Sequence, residues 1–297
     1  MTDILAITNA EAGTAEQRAV DEAVRVMRGS QSLEVAGARD GSGLDQLLRG
    51  YAGVPTVVVL GGDGSLHAVV SGLHRLGMLA DVRVGLVPMG TGNDFARSAR
   101  LSTNPSEAAQ QLLAAEPQKV DLLVDDAGGV VVNAVHLGLG AEAGAAARPW
   151  KKALGPVGYA VGATISGFTR PGLDLHVLVD GAPVKSRGKV LQVAIGNGPY
   201  VGGGAPLLPD ADPTDGLLDV AVSYANPPLR RLAYAAQLRV GQHTRRDDVT
   251  LVRGTRVEVS GEPFRCNADG EIGSLVGGRT WWVDAGAVTM LLPRETG

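Results

Sequence analysis

Residues 56–73 read TVVVLGGDGSLHAVVSGL and combine the patterns of a strand, a tight turn and a helix. Thr56–Leu60 is a continuous run of apolar and β-branched residues, which is typical of a strand buried on both faces. Gly61–Ser65 supplies the turn, and the apolar spacing over Leu66–Leu76 predicts a helix. A strand, a turn and a helix in this order indicate a parallel sheet with right-handed crossovers.

The same alternation extends on both sides of this stretch. Ile4–Thr8 and Val82–Val87 are apolar runs of strand length, and Thr14–Met27 carries apolar residues at the spacing of one helical face. We therefore predict an N-terminal α/β domain with a parallel sheet over residues 1–124.

After residue 124 the pattern changes to short strands separated by turns, which predicts a β-rich antiparallel sandwich domain over residues 125–297. Two helices are expected within it, at Gly155–Phe168 and Leu229–Val240. The sequence leaves open whether the last residues of the chain return to the first domain. The predicted strands are Val130–Val135, Leu173–Val179, Lys189–Ile195, Leu217–Val222, Arg256–Val259 and Ala287–Leu292.

Composition excludes several classes of protein. With 44% hydrophobic and 20% charged residues in 297, the chain is expected to be globular and not disordered. A net charge of −4 argues against nucleic acid as a partner. The single cysteine, Cys266, excludes a disulfide framework. The N-terminus lacks the pattern of a secretory signal, and no apolar run approaches the length of a membrane span, so we expect a cytoplasmic protein.

A second glycine loop, at Pro88–Arg97, also follows a buried strand. Ligands of open parallel sheets bind at the carboxyl ends of the strands, so the two glycine loops are expected to border one crevice. Backbone N–H groups of such loops can bind phosphate. Asp63 would repel phosphate unless a cation or a hydrogen-bonding role offsets its charge. The alternative is a tight turn capped by Asp63, with Thr91, Asn93 and Asp94 as helix caps.

These two loops carry a resemblance to a known family. GGDGSLHAVVSGL (61–73) followed by GLVPMGTGNDFAR (85–97) resembles the catalytic domain of diacylglycerol kinases, whose superfamily includes sphingosine, ceramide and bacterial lipid kinases. The resemblance continues through NAVHLGLGAEA (133–143), GNGPYVGGGAPLLPDADPTDGLLDV (196–220) and NADGE (267–271). It implies a two-domain lipid-kinase fold and an ATP-dependent kinase that transfers the γ-phosphoryl group to a lipid hydroxyl, such as that of diacylglycerol.

The resemblance also implies roles for individual residues. Asp63 and the carboxylates of Asp269 and Glu271 would be catalytic, with one of the last two as the general base. A structural Mg²⁺, distinct from the magnesium carried by ATP, would be held by Asp212, Asp215 and the carbonyl of Leu217, oxygen donors that suit a hard cation. The nucleotide-binding residues would be Asn9, Gly13, Gly61, Gly62, Asp63, Gly64, Ser65, Gly90, Thr91, Gly92 and Asn93.

Two features of these motifs leave alternatives open. The family usually begins with N-P-x-S-G, whereas this chain has Asn9-Ala10-Glu11-Ala12-Gly13. On an extended strand Asp269 and Glu271 would share one face, whereas Asp-Gly in general favours a turn.

Other functions remain as alternatives at this point. NAD kinases share the GGDG loop, and a kinase of another small molecule that resembles a lipid is a further alternative. A catalytically weak regulator that binds nucleotide or lipid would fit the altered first motif. A lipid substrate implies contact with a membrane surface, here the inner face of the membrane. The basic cluster Arg148–Lys152 is a candidate for that contact. A homodimer is among the oligomeric states that the sequence allows.

Overall fold

The computed structural model describes residues 2–9, 14–29, 32–138, 172–224 and 227–294. The chain divides into two compact units. The first comprises residues 1–122, 202–204 and 284–297, and the second comprises residues 123–201 and 205–283. Gly13, the basic cluster Arg148–Lys152 and the predicted helix Gly155–Phe168 lie outside the described residues.

The first unit alternates strands and helices, as predicted. Strands β1, β2, β3 and β4 pair in parallel in the order β2-β1-β3-β4. Strand β5 follows α5, the last helix of this unit. The elements are β1 (Ile4–Asn9), α1 (Thr14–Met27), β2 (Leu33–Ala38), α2 (Gly41–Gly50), β3 (Thr56–Gly61), α3 (Asp63–Arg75), β4 (Arg83–Pro88), α4 (Asp94–Ser98), α5 (Pro105–Leu113) and β5 (Glu116–Asp125).

Helices cover both faces of this sheet, which explains its continuous apolar strands. Ala6 and Val58 pack with Met27 of α1 and Leu112 of α5 in one buried cluster. On the other face, Ile7 and Val59 of the sheet lie beside Leu44 of α2 and Val69 of α3. Every residue of β3 is buried as a result, as the sequence pattern predicted for a strand between two helical layers.

The second unit is built from antiparallel strands. One sheet has the order β14-β13-β10-β7-β16-β17, and β15 pairs with both β8 and β18. The elements are β6 (Val130–Val131), β7 (Ala134–Gly138), β8 (Leu175–Val179), β9 (Ala182–Pro183), β10 (Gln192–Gly196), β11 (Tyr200–Val201), β12 (Ala205–Pro206), β13 (Leu218–Ser223), α6 (Pro228–Leu238), a 3₁₀ turn (His243–Arg245), β14 (Val249–Gly254), β15 (Arg256–Phe264), β16 (Cys266–Ala268), β17 (Glu271–Ile272) and β18 (Val276–Leu292).

The core of this unit lies between its sheets. Val193 and Val220 of the six-stranded sheet pack in one cluster with Val177, Val257 and Trp281 of the other strands. Apolar side chains that meet between two sheets define a sandwich, so the predicted fold class is confirmed. The last strand, β18, is shared: its final residues pair in parallel with β4 of the first unit. None of the helices in the described ranges is both long enough and apolar enough to cross a membrane.

The second unit contains a histidine that burial keeps neutral. His136 lies on β7, and its Nδ1 is buried without a hydrogen-bond partner among the described residues. Burial lowers the pKa of His136 to about 4, because the charged ring would lose its hydration. An unfolded chain, with a histidine pKa of about 6.5, therefore binds an additional proton between those two pH values.

We expect His136 to make the protein less stable in mild acid. As far as His136 is concerned, the free energy of unfolding is highest above about pH 6.5. It falls as the pH drops toward 4, by up to about 1.4 kcal/mol per pH unit. Urea unfolding between pH 4 and 7 measures this slope, with His136→Gln as the test and the exposed His176→Gln as the matched control. Equal slopes for the parent and His136→Gln would contradict the assignment.

Candidate active site

The first glycine loop presents the start of a helix without a side-chain cap. β3 ends at Gly61, Gly62 is the N-cap residue of α3, and no side chain bonds to the N–H groups of the first turn from this position. The first intrahelical bond runs from the N–H of Leu66 to the carbonyl of Gly62, so the N–H groups of Gly64 and Ser65 precede it. Such N–H groups, together with the helix dipole, favour an anion.

Glycine at position 61 is required by the serine of the same loop. A β-carbon added to Gly61 would lie 2.5 Å from Oγ of Ser65, which is closer than the two atoms can approach. The Ser65 hydroxyl therefore lies directly over the end of β3.

The second glycine loop is shaped by one asparagine. Asn93 is buried and adopts the left-handed conformation, with a φ of 52°. Its Oδ1 accepts a hydrogen bond from the N–H of Gly90 at 3.0 Å, and its Nδ2 donates to the carbonyl of Gly90 at 2.7 Å. Thr91, at the tip of the loop, is exposed. Asn93 thus holds the loop closed on itself and leaves Thr91 accessible to a ligand.

The two loops contact each other through their backbones. A β-carbon on Gly62 would lie 2.8 Å from Cα of Gly90, and one on Gly90 would lie 2.7 Å from Cα of Gly62. Oδ1 of Asp63 accepts a hydrogen bond from the N–H of Phe95, at 3.0 Å, in the first turn of α4. Asp63 therefore has the hydrogen-bonding role that the sequence left open, and the carboxyl ends of β3 and β4 are joined.

Asp94 is a residue of this site that the sequence suggested only as a helix cap. Its carboxylate is buried and accepts hydrogen bonds from the N–H groups of Gly203, at 3.0 Å, and Gly204, at 2.6 Å. The pKa of Asp94 is raised overall. Burial is the main cause and the nearby charge of Asp63 adds to it, whereas the two hydrogen bonds from backbone N–H groups act in the opposite direction. Asp94 thereby holds the segment 202–204 against the second glycine loop.

The signal for this contact lies in three consecutive glycines. Gly202, Gly203 and Gly204 have φ values of 63°, 94° and 99°, which side chains rarely tolerate. Successive residues of this kind turn their N–H groups toward one point and bind an anion, here the carboxylate of Asp94. The sequence showed the glycines but not which acid they would face.

A cavity of about 240 Å³ adjoins the first loop at the carboxyl ends of β1, β2 and β3. Three predicted nucleotide-binding residues line it, Asn9, Gly64 and Ser65. Arg39 and Asp40, which the sequence did not indicate, form part of its wall. Asp40 caps α2 by accepting the N–H of Gly43 at 2.8 Å. Arg39 is exposed and makes no hydrogen bond or ion pair with the described residues, so its charge is available to a ligand.

The acidic loop predicted to hold magnesium lies in the second unit. Oδ1 of Asp212 accepts the N–H of Thr214 at 2.9 Å and its hydroxyl at 2.7 Å. Asp215 accepts the N–H of Leu217 at 3.0 Å with one oxygen and forms an ion pair with Arg253 through the other. Within the described ranges, no group of three or more His, Cys, Asp or Glu side chains could hold a metal ion.

This loop nevertheless has donors of the kind that magnesium prefers. Oδ2 of Asp212 makes no hydrogen bond to the described residues, so one carboxylate oxygen is open. The second oxygen of Asp215 already faces a cation, the guanidinium of Arg253. One carboxylate oxygen of this loop is therefore open to a hard cation, whereas the second oxygen of Asp215 is already paired with Arg253.

The DGE motif forms a hairpin in the second unit, so the alternative of one extended strand is wrong. Ala268 of β16 pairs with Glu271 of β17, and Asp269 and Gly270 make the turn between them, with φ values of 47° and 92°. Positive φ at both positions is the requirement of a tight two-residue hairpin turn, which Asp-Gly satisfies.

The two carboxylates of this motif have different surroundings. Asp269 accepts hydrogen bonds from the N–H groups of Val132, Asn133 and Ala134, at 2.6, 2.9 and 3.2 Å. Glu271 is exposed and makes no hydrogen bond or ion pair with the described residues. Asp269 therefore anchors the connection between β6 and β7, whereas the carboxylate of Glu271 is available for a substrate.

Comparisons with known proteins agree with both units. Residues 3–124 match the diacylglycerol kinase catalytic domain, and residues 133–291 match the YegS C-terminal NAD kinase beta sandwich-like domain. A protein of Stenotrophomonas maltophilia named "Probable lipid kinase YegS-like" is 34% identical over 229 residues, which cover 74% of this chain and 73% of that protein. A protein of Xanthomonas euvesicatoria with the same name is 38% identical over 178 residues, which cover 57% of this chain and 56% of that protein.

A solved structure shows the same fold. The crystal structure of a diacylglycerol kinase from Bacillus anthracis superposes with a TM-score of 0.78 at 22% identity, covering 99% of this chain and 98% of the other. Together with the two family matches, the two units are those of the class of two-domain proteins related to diacylglycerol kinases. Within that class, the chain belongs to the family of YegS-like lipid kinases.

The contact between the two glycine loops predicts a difference between neighbouring glycines. Gly62→Ala should lower the free energy of unfolding by about 1–3 kcal/mol, because its β-carbon would push against the backbone of Gly90. Gly64→Ala is the matched control: no atom lies within 4 Å of its added β-carbon, so stability should stay level or rise by about 0.4–1 kcal/mol. Urea unfolding of both variants measures the difference, and equal stabilities would contradict the close approach.

Proposed function

We propose that the protein transfers the γ-phosphoryl group of ATP to the hydroxyl of a lipid, with diacylglycerol as the representative acceptor. The observation that carries this proposal is the uncapped start of α3 beside a cavity, within a chain of the lipid kinase family. The first 124 residues would bind the nucleotide, and residues 125–297 would bind the lipid.

The nucleotide is assigned to the first unit. Its phosphates would contact backbone N–H groups of Gly61–Ser65 and of Gly90–Asn93, the segments that follow β3 and β4. The nucleoside would occupy the cavity lined by Asn9 and Arg39, where the guanidinium of Arg39 has no other partner among the described residues. Phosphoryl transfer depends mainly on such positioning and on neutralisation of charge.

Magnesium carried by ATP would supply most of that neutralisation. Asp63 is the carboxylate that we assign to this ion, because it lies between the two glycine loops and uses Oδ1 for the N–H of Phe95. A β-carbon on Gly92 would lie 2.9 Å from its Oδ2, so only a glycine leaves room for that oxygen.

The general base is assigned to Glu271. A base must reach the proton of the acceptor hydroxyl, and the carboxylate of Glu271 is exposed and without a competing partner among the described residues. Asp269 would position Glu271, since the three hydrogen bonds that Asp269 accepts from backbone N–H groups hold the turn that precedes Glu271.

The function is tested by measuring transfer from radiolabelled ATP to diacylglycerol, monoacylglycerol, sphingoid base, ceramide, phosphatidylglycerol and NAD. We expect a labelled lipid product, and Asp63→Asn should reduce its rate by at least about 10²-fold, as expected when an electrostatic contact in the transition state is lost. A labelled product from NAD alone would support an NAD kinase instead. Nucleotide binding without transfer to any acceptor would support a regulatory role.

The assignment of the base predicts different outcomes for the two carboxylates. Glu271→Gln should lower turnover by about 10²–10⁴-fold with unchanged ATP affinity, because the base acts on the acceptor and not on the nucleotide. Asp269→Asn should instead lower the melting temperature, since an amide oxygen replaces a charged acceptor of three N–H bonds. If the folded Glu271→Gln variant keeps turnover within a few-fold of the parent, the base lies elsewhere.

We also propose that the loop of Asp212, Asp215 and the Leu217 carbonyl binds a structural magnesium. An ion bound only by the folded state would stabilise it by about 2.7 kcal/mol at 100 times its dissociation constant. Chelation should therefore lower the melting temperature of the parent, and Asp212→Asn should lose this sensitivity while the neighbouring Asp210→Asn keeps it. If chelation leaves the melting of the parent unchanged, the loop needs no metal.

A further inference from the structure

Helix α6 turns a row of apolar side chains toward solvent. Leu229 is 81% exposed, Leu232 is 49% exposed and Val240, just after the helix, is 65% exposed. Ala233 and Ala236 between them are exposed as well. We call these five residues the α6 face. Leucine and valine at this exposure along one helix are unusual, because a surface helix normally buries its apolar side.

The spacing places these residues on one side of the helix. At 3.6 residues per turn, the four residues of the α6 face that belong to the helix span an arc of about 100° around its axis. The opposite side is anchored in the second unit by Tyr234, whose hydroxyl donates to Gln192 at 2.8 Å and whose ring meets that of His243 edge-on at 5.4 Å. The inward face of α6 is thus already occupied, and its apolar face has no partner among the described residues.

Arginines are concentrated in this helix and in the residues that follow it. Residues 227–248 contain five arginines and two acidic residues, Asp247 and Asp248, in a chain whose net charge is −4. Arg239 and Arg245 are exposed and form no ion pair with the described residues. The other three are not available: Arg230 forms ion pairs with Asp247 and Asp248, at 3.2 and 3.1 Å, Arg246 pairs with Asp248 at 2.6 Å, and Arg231 is buried. Two arginines therefore remain to attract an anionic surface.

We propose that the α6 face binds the interfacial region of an anionic lipid bilayer. An apolar row flanked by cations is the pattern of helices that lie in the plane of a membrane, with their apolar side among the acyl chains and their arginines at the headgroups. The proposal rests on the proposed function for its choice of partner, since a lipid acceptor resides in a bilayer. Binding to the bilayer itself requires neither ATP nor turnover.

The test measures cosedimentation of the full-length protein, without ATP, with vesicles of phosphatidylcholine alone or mixed with phosphatidylglycerol. We expect the parent to bind the mixed vesicles more tightly. The double variant Leu229→Glu, Leu232→Glu should weaken binding by at least about tenfold, because even one leucine buried in an apolar phase changes a partition coefficient by about that factor. Arg239→Gln should reduce the preference for phosphatidylglycerol.

Matched controls separate the α6 face from general effects of charge. Leu251→Glu with Leu275→Glu makes the same chemical change at leucines that are 47% and 54% exposed elsewhere, and vesicle binding should remain that of the parent. Arg49→Gln, at an exposed arginine of α2, is the control for Arg239→Gln. If the α6 variant binds vesicles as tightly as the parent, or no more weakly than its control, the proposal is wrong.

A second copy of the chain is the main competing occupant. Sedimentation equilibrium of the parent and of the Leu229→Glu, Leu232→Glu variant distinguishes it: a parent dimer that becomes a monomer, with vesicle binding unchanged, would overturn the proposal. Turnover of a short-chain diacylglycerol in detergent micelles keeps the two hypotheses apart. If the protein binds vesicles through the α6 face but phosphorylates no lipid, only the proposed function is rejected. If it phosphorylates the lipid in micelles but the α6 variant binds vesicles like the parent, only this inference is rejected.

Discussion

The geometry of the two glycine loops depends on a close approach between two pieces of backbone. Gly62 and Gly90 approach so closely that neither could carry a β-carbon. Other bonds lie beside that contact: Asp63 accepts the N–H of Phe95, and Asn93 closes the second loop on Gly90. Asp94 then extends the same cluster to the three glycines of the segment 202–204. A site built in this way presents backbone N–H groups, and few side chains, to a ligand.

The fold could be predicted where burial leaves a periodic pattern. Helix α1 and the buried strands β3 and β4 follow their apolar patterns closely, and the alternating strands of the second unit indicated a sandwich. Strand β2 escaped detection because it is an edge strand, only partly buried, and so lacks a continuous apolar run. Helix α2 has glycine at both ends, and much of β18 is interrupted by glycine and polar residues that hide its length.

The candidate site, like the fold, has features that the sequence predicts and features that it does not. Glycines that precede a helix mark the loops, because the requirement for a small residue is local. The partners of the buried acids are not local: Asp94 binds backbone 109 residues further along the chain, and Asp269 binds backbone 137 residues earlier. A carboxylate held by distant N–H groups leaves no trace in sequence spacing. The roles of Asp94 and Asp269 therefore emerged only from the fold.

Strand β18 has a consequence for how the protein is made. Thr289 and Met290 pair with Arg83 and Val84, so β4 remains an open sheet edge until the end of the chain has been synthesised. At about 5–20 residues per second, the interval between residues 122 and 292 lasts roughly 10–30 seconds on the ribosome. During that interval an exposed parallel edge offers unpaired N–H and carbonyl groups to other nascent chains. The first unit begins to form early but reaches its final sheet only after the second unit has been translated, which makes this edge a natural site for chaperone protection.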